Sequence, residues 1–351
     1  MKQPAPATLD RLASTVAAKA NVPSMSFAIE QPSTGFTWSY GDTDQPYFLA
    51  SITKLYTVAL LMQLRDEGAL TLDTPAARIL GEETMSGLVV HNGRDYGSLV
   101  TVRQLLAQTS GVPDYFEQKR ADGSTFLDTL LNSDDAYSFE DFLAMARALP
   151  SQFTPAKPGK AQYCDTNYQL VGRIIEVLTS GTFEQALHSR ILQPHNLRDT
   201  WLLTPQNLHR YEEVSETWYR NRPLRAPKTI ASFPPDGAIV STAADQLRFL
   251  RAFIGGDLFP RQYLEEMTAR WNSVFSPLVP ISYGIGIMRC SVPRLLSPIT
   301  SIPDMIGHSG AFGTVLYYVR DYDLYVCGSV NQMHTRSLPH QLLFKLVSKF
   351  R

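Results

Sequence analysis

Ser51 and Lys54 stand at the head of the stretch FLASITKLYTVALLM, residues 48–62. In a helix, a spacing of three places both side chains on one face, one turn apart. An ordinary reading exists: serine caps helices, and a lysine near a helix start is usually solvated. The flanks argue for chemistry. Lys54 leads an apolar run, Leu55 to Met62, in which Tyr56 and Thr57 carry the polar atoms. A desolvated lysine falls from its usual pKa near ~10.4 and can take a proton from a neighbouring hydroxyl. Serine and lysine one turn apart are therefore a candidate activated nucleophile.

Two further stretches carry reactive side chains. QYCDTNYQLVGRIIE contains Tyr163, Asp165 and Asn167, follows the breakers Pro155–Gly159 and leads into a helix. GHSGAFG, residues 307–313, precedes the strand-like TVLYYV and holds His308, Ser309, Gly310, Ala311 and Phe312. Cys164 could be read as a thiol nucleophile, but buried cysteine is ordinarily a small hydrophobe. No H-E-x-x-H, G-x-S-x-G, Walker loop or G-x-G-x-x-G is present. No metal or cofactor is expected.

The elements that must position these residues are legible in outline. Residues 7–20 read as an amphipathic helix, and SMSFAIEQPSTGFTWSYG as a hairpin turning at Pro32–Gly35. The Ser51 helix ends near Gly68. From about 70 to 275 the chain is loop-rich, with helical patterns at 102–107, 139–148, 168–178, 183–191 and 243–253 and weak strand signals. Strand patterns return at SYGIGIMRC, TVLYYVRDY and LYVCGSVNQ, with a turn near Asp321–Asp323, and SLPHQLLFKLVSKF reads as an amphipathic closing helix. The expected fold is α+β: an antiparallel sheet flanked by N- and C-terminal helices. Residues 1–68 and 278–351 would form one lobe, residues 69–277 an inserted mainly helical lobe, with the active site in the cleft between them.

The 351 residues carry a formal net charge of −1 and are 44% hydrophobic, which argues against nucleic acid or an anionic membrane as partner. There is no apolar run of about 18 residues to span a bilayer. Three widely spaced cysteines argue against a disulfide framework or zinc site and fit a reducing compartment. MKQPAPATLDRLAST lacks the apolar core of a signal peptide. The expectation is a cytoplasmic protein, or a periplasmic or secreted one if a signal has been trimmed.

The three stretches together resemble the penicillin-recognising serine hydrolases, in the branch of class C β-lactamases, D-alanyl-D-alanine carboxypeptidases, D-aminopeptidases and related family VIII esterases. SITK matches S-x-x-K, YCD stands for Y-x-N, and HSG for K-T-G or H-x-G. LLAQTSGVPDY is similar to L-L-x-H-T-S-G, DGAIVSTAADQLRFL to G-G-x-x-S-T-x-x-D-L, and YGIGIM to Y-G-x-G. The resemblance implies Ser51 as nucleophile, Lys54 as its base and Tyr163 as proton relay. It also implies an oxyanion hole from the N–H groups of Ser51 and Ala311. His308, Ser309 and Gly310 would line the strand edge, Gly310 leaving room for substrate. Tyr115 and Phe312, beside these motifs, are expected pocket walls, and Asn167 a helix cap or binding residue.

Two departures bear on mechanism. Asp165 replaces the usual asparagine and would favour a charged Lys54. Either it shares in proton transfer, or it bonds from a distance, or Lys54 rests protonated and Tyr163 carries more of the base role. His308 replaces lysine and is a weaker anchor for a substrate carboxylate. The implied activity is a carboxylesterase, with D-aminopeptidase, D-Ala-D-Ala carboxypeptidase or β-lactamase as alternatives, acting on a small ester, amide or short peptide. A non-catalytic binding or assembly protein on the same fold is the rival of another class; the joint presence of Ser51, Lys54 and Tyr163 speaks against it. Ser51→Ala should abolish covalent labelling by a fluorophosphonate, read by intact mass, while circular dichroism stays unchanged; labelling that persists would relocate the nucleophile.

Overall fold

The computed structural model describes residues 3–20, 22, 24–276, 279–292 and 302–350. Met1 and Lys2 of the N-terminal stretch, and the expected boundary at 277/278, lie outside the described residues. Alternating residues form the expected hairpin, β1 (Ser26–Gln31) and β2 (Phe36–Tyr40), with Ile29 opposite Trp38. Five strands follow much later: β3 (Ile281–Tyr283), β4 (Met288–Cys290), β5 (Met305–Gly310), β6 (Thr314–Val319) and β7 (Leu324–Ser329). They form one sheet in the order β3-β4-β5-β6-β7-β1-β2. Every neighbouring pair is antiparallel, and β1 joins the late strands by lying against β7, Ile29 opposite Val326.

Five helices concern the site: α1 (Pro6–Ala20), α2 (Thr53–Asp66), α3 (Thr166–Thr179), α4 (Ala243–Gly255) and α5 (Leu338–Val347). The period of two divides each strand between two cores. Phe27, Ile29, Tyr317, Val319, Leu324 and Val326 pack with Leu9, Ala13 and Val16 of α1 and Leu342, Leu343 and Leu346 of α5. Ala28, Leu316, Tyr325 and Cys327 face the opposite way, into the core that holds α2, α3 and α4. Each fully buried leucine contributes about 1.5–3 kcal/mol to this packing. Helix α4 comes from the middle segment yet packs on the sheet, with Cys327 Sγ donating to the Ala243 carbonyl at 3.4 Å.

Helix α2 is buried on nearly every side, Leu55 to Met62 without exception. Its polar first turns are explained by one loop. The Thr53 hydroxyl accepts from the Ile239 N–H at 3.3 Å, Thr57 donates to the Pro235 carbonyl at 2.6 Å, and Lys54 donates to the Asp236 carbonyl at 3.1 Å. Helix α3 seats the same loop, because Gly172 leaves the space that Pro235 fills.

One element has no counterpart in the sequence reading. Tyr47–Phe48, Ile239–Ser241 and Trp201–Leu202 form a small sheet with the middle segment central. Strands of two or three residues show no period, so alternation could not reveal them. This sheet delivers the chain to Ser51, the Leu49 N–H bonding the Ile239 carbonyl at 2.9 Å.

Gly286 shows how tightly the sheet meets α2. It has φ +73°, and a Cβ there would sit 2.4 Å from a Val58 methyl. Gly286→Ala combines backbone strain with overpacking and should destabilise the fold by about 1–3 kcal/mol. Thermal unfolding checks this, an unchanged midpoint being the contrary result.

Candidate active site

Ser51 sits in a tight turn, Ala50–Ile52, that opens directly into α2. Ala50 has φ +48°, a left-handed conformation that side-chain-bearing residues avoid. Neighbours hold it there. The Leu49 carbonyl accepts the Thr314 hydroxyl at 2.9 Å. A Cβ on Gly310 would lie 2.3 Å from that carbonyl and 2.3 Å from the Thr314 oxygen. Gly310 therefore makes room for the Ser51 turn against β5, a packing role that the expectation about substrate did not include. Ser51, Ser309, Gly310 and Ala311 nonetheless line one pocket. Among the described residues the N–H groups of Ser51 and Ala311 donate to no partner, as an oxyanion hole requires.

Lys54 is fully buried, and three acceptors surround its Nζ. They are Asp165 Oδ1 at 2.6 Å, Ser51 Oγ at 3.0 Å and the Asp236 carbonyl at 3.1 Å. An ammonium has three donors and no acceptor, so this environment fits the charged form. Burial alone lowers the Lys54 pKa, but the charges of Asp165 and Asp236 outweigh it and the net shift is upward. Of the three alternatives for Asp165, the 2.6 Å contact excludes a bond from a distance, and the upward shift of Lys54 favours its charged form.

Two more buried carboxylates belong to this cluster. Asp236 accepts from the Tyr115 hydroxyl and from Gln169 Nε2, each at 3.0 Å. Asp114 Oδ1 accepts the Asp165 N–H at 2.8 Å. Burial, helped by the charge of Asp165, holds both well above the ordinary carboxylate range, with Lys54 opposing the rise at Asp236. Sequence reasoning missed both. Asp236 stands immediately ahead of the stretch matched to G-G-x-x-S-T, whose first glycine is Gly237, so the motif itself carried no signal for it.

Tyr163 faces Lys54, whose Nζ is 5.3 Å from the ring centre. Its buried hydroxyl has no partner of normal hydrogen-bond geometry among the described residues. Burial raises its pKa well above 10, reinforced by Asp165 and only partly opposed by the nearby Ser51 hydroxyl. Ser51, Lys54, Tyr163 and Asp165 thus lie together; the helical spacing implied this for Ser51 and Lys54, the family resemblance for Tyr163, and the place of Asp165 had been left open.

Other predicted residues lie elsewhere. His308 is fully buried; its Nδ1 is 2.8 Å from the Ser309 carbonyl and must donate, leaving Nε2 to accept the Tyr283 hydroxyl at 3.1 Å. Tyr168 continues the chain, its hydroxyl 2.9 Å from that of Tyr283. Burial, with Lys54 nearby, lowers the His308 pKa to about 3, so it is neutral and fixes β5 instead of facing substrate. Tyr115 is buried among Phe126, Phe142 and Phe233, with its hydroxyl on Asp236. Phe312 packs edge-on against Phe48. Neither lines the pocket, because both side chains are consumed by cores behind it. Asn167 lies inside α3 and ties it to the 108–110 loop, accepting from Ser110 and donating to Gln108, each at 2.7 Å. Cys164 is buried with its thiol pushed well above 9, chiefly by burial, and is inert.

The pocket beside Ser51 holds about 490 Å³. Its walls include Phe116, Phe275, Ile281, Met288 and Phe344, and Glu117 and Arg336 form an ion pair at 2.5 Å on one side. Phe116 directly follows the LLAQTSGVPDY stretch; the others had no local signal, because they come from separate segments. Among the described residues no group of three or more His, Cys, Asp or Glu side chains could hold a metal. Among the same residues no helix is long and apolar enough to cross a membrane.

This geometry can be set beside known proteins. The family described as Beta-lactamase matches residues 9–345, and the chain belongs to that family. It is a serine hydrolase of the β-lactamase-related kind. Penicillin-binding protein 4 of Amycolatopsis lactamdurans is 31% identical over 223 residues, 62% of this chain and 53% of that protein. The chain thus spans about half the length of this curated relative. A D-stereospecific amidohydrolase from Streptomyces sp. superposes with TM-score 0.73 at 28% identity, covering 94% of this chain and 95% of the other. EstCE1, a hydrolase with promiscuous acyltransferase activity, shares the fold with TM-score 0.79 at 16% identity, covering 97% and 99%.

Lys54 must lose its proton to act as a base, and its raised pKa places that event above the ordinary lysine value. The logarithm of kcat/KM should therefore climb with pH through the neutral range without a plateau. Asp165→Asn removes the nearest charge holding that proton, so the Lys54 pKa falls and the acidic limb moves to lower pH. Charges ~4 Å apart at an effective dielectric near ~20 interact by about 4 kcal/mol, so even a screened contact moves the limb visibly. Acylation rates of one activated ester against pH, for both proteins, decide it; an upward displacement contradicts the electrostatics.

Proposed function

We propose that this hydrolase cleaves a small ester or amide through an acyl-enzyme on Ser51, with carboxylester hydrolysis as the leading activity. The observation that carries the reading is the pocket wall: apolar side chains face Ser51, and no free cation is available to anchor a carboxylate among the described residues. His308 is neutral and buried, and Arg336 is paired with Glu117. Carboxylate-bearing β-lactams and D-alanyl-D-alanine ends are therefore the poorer fit.

The steps follow from the distances. Lys54, once deprotonated, takes the Ser51 proton across 3.0 Å as Oγ attacks the substrate carbonyl. The carbonyl oxygen becomes an oxyanion held by the Ser51 and Ala311 N–H groups, each such donor contributing about 3–4 kcal/mol. The phenol of Tyr163 gives its proton to the leaving oxygen or nitrogen, the bond to the acyl carbon breaks, and Lys54 returns a proton to Tyr163. Water then repeats the attack with the same groups and releases the acid. Asp165 and the Asp236 carbonyl hold the Lys54 amine in line throughout.

Amide cleavage is the second reading, favoured by the 28% identity to the D-stereospecific amidohydrolase over nearly the whole chain. A phenol that stays protonated suits an amine leaving group. A panel of p-nitrophenyl esters, D- and L-aminoacyl anilides and nitrocefin separates the activities; nitrocefin as the best substrate would overturn the leading reading. Lys54→Ala should lower kcat at least a hundredfold, the usual lower bound for a general base. Tyr163→Phe, which keeps the ring, should lose a comparable factor; wild-type turnover would reassign that hydroxyl.

A further inference from the structure

The loop that meets Lys54 is held by a side chain that the reaction steps leave unused. Asp236 is buried, and its carboxylate divides between two elements. Oδ2 accepts the Tyr115 hydroxyl and Oδ1 accepts Gln169 Nε2, each at 3.0 Å. Tyr115 comes from a turn pinned to the start of α3, where its N–H meets the Thr166 hydroxyl at 3.0 Å. Gln169 lies on α3, four residues after Asp165 and three before Gly172, against which Pro235 is seated. These spacings place Asp165, Gln169 and Gly172 on one face of the helix. That face grips one amine twice. Asp165 meets Nζ directly at 2.6 Å, and Gln169 reaches it through Asp236, whose own carbonyl meets Nζ at 3.1 Å. The Gly237 N–H, 2.9 Å from the Phe233 carbonyl, anchors one end of the peptide that carries the Asp236 carbonyl. The Asp236 side chain anchors the other.

We propose that the Asp236 side chain is a positioning residue: bonded to Tyr115 and Gln169, it fixes its own carbonyl and thereby aims the Lys54 lone pair at the Ser51 hydroxyl. The inference rests on the reading of Ser51 as nucleophile and Lys54 as its base. As an ammonium, Lys54 donates to Asp165, Ser51 and the Asp236 carbonyl. As a free amine it keeps two N–H groups and gains one lone pair. An ionised Asp165 and the Asp236 carbonyl can only accept, so they retain the two N–H groups. The lone pair then falls on Ser51, the one neighbour of the three with a proton to give. With the carbonyl out of place, an N–H can turn toward Ser51 and the lone pair away from it. The carboxylate of Asp236 therefore acts on the reaction through direction, besides the charge it places near the amine.

Two substitutions separate direction from charge. In Asp236→Asn both bonds can persist, the new oxygen accepting from Tyr115 and the new amide donating to the oxygen of a turned Gln169 amide. In Asp236→Ala both are lost, and the two variants lose the same charge. That loss lowers the Lys54 pKa and slides the pH profile of kcat/KM to lower pH in both, whereas a misdirected lone pair lowers the profile at every pH. The charged and titrating groups facing Asp236 are Lys54 of α2, Asp165 of α3, Tyr163 just ahead of it, and Asp114 and Tyr115 of the neighbouring turn; all are common to both variants. Rates are taken per Ser51 titrated with a fluorophosphonate, so that misfolded enzyme is not counted. A wild type that takes no label means that the proposed function fails, and not merely this inference. With one activated ester, Asp236→Ala should have kcat at least about tenfold below Asp236→Asn, while KM agrees within about threefold. Tyr115→Phe keeps the ring among Phe126, Phe142 and Phe233 and removes one of the two bonds. Its kcat should fall at least about threefold with KM held, and it decides the matter if the alanine variant yields no folded enzyme. Equal kcat per titrated serine in the asparagine and alanine variants overturns the proposal, as does a Tyr115→Phe enzyme that turns over as fast as the wild type.

Discussion

The site depends on one buried ammonium. Lys54 has no contact with solvent, and a lone charge in that position would cost several kcal/mol. Its position is tolerable because each of its donors has an acceptor, from Asp165, Ser51 and the loop at Asp236. Those acceptors come from distant segments of chain. Satisfying one lysine therefore draws together α2, the start of α3 and the loop ahead of the small sheet. The same satisfaction has a chemical consequence, since the contacts that hold the amine also hold its proton.

Electrostatic balance extends beyond the pair. Asp114, Asp165 and Asp236 are all buried around a single cation. All three cannot ionise cheaply in a poorly solvated space, and Asp114 and Asp236 accordingly retain their protons far above the usual carboxylate range. Backbone N–H groups, Tyr115 and Gln169 supply the bonds that make these groups structurally useful. Tyr115 is an instructive case: a tyrosine beside a motif reads as a pocket wall, but its hydroxyl is spent on a carboxylate one layer behind.

Legibility in the sequence followed physical range. The hairpin, the late strands and helices α1, α2, α3, α4 and α5 were readable because period and punctuation are local signals. Ser51 and Lys54 were readable because a helical turn fixes their relation, while Tyr163 and Asp165 needed the motif order to be joined to them. The small sheet was invisible because its strands are too short to show alternation. Asp236 and Asp114 were overlooked because their significance lies in what surrounds them, not in their neighbours along the chain. The wall residues Phe275 and Phe344 were hidden for the same reason. His308 was misplaced because a motif position along a strand says nothing about which way an imidazole turns.

The pairing of β1 with β7, and of the Leu49 carbonyl with Thr314, also sets an order of events during synthesis. The Ser51 turn leaves the ribosome early, while the strand and hydroxyl that hold its backbone emerge only after most of the chain has been made. Until then Ala50 has nothing to keep it in its left-handed conformation, and Gly310 has no turn to pack against. Contacts between such remote segments form slowly, because a long loop must close before they yield any free energy. The backbone around Ser51 therefore reaches its native geometry only when the last strands dock, and the topology ties the shape of the candidate site to the completed fold.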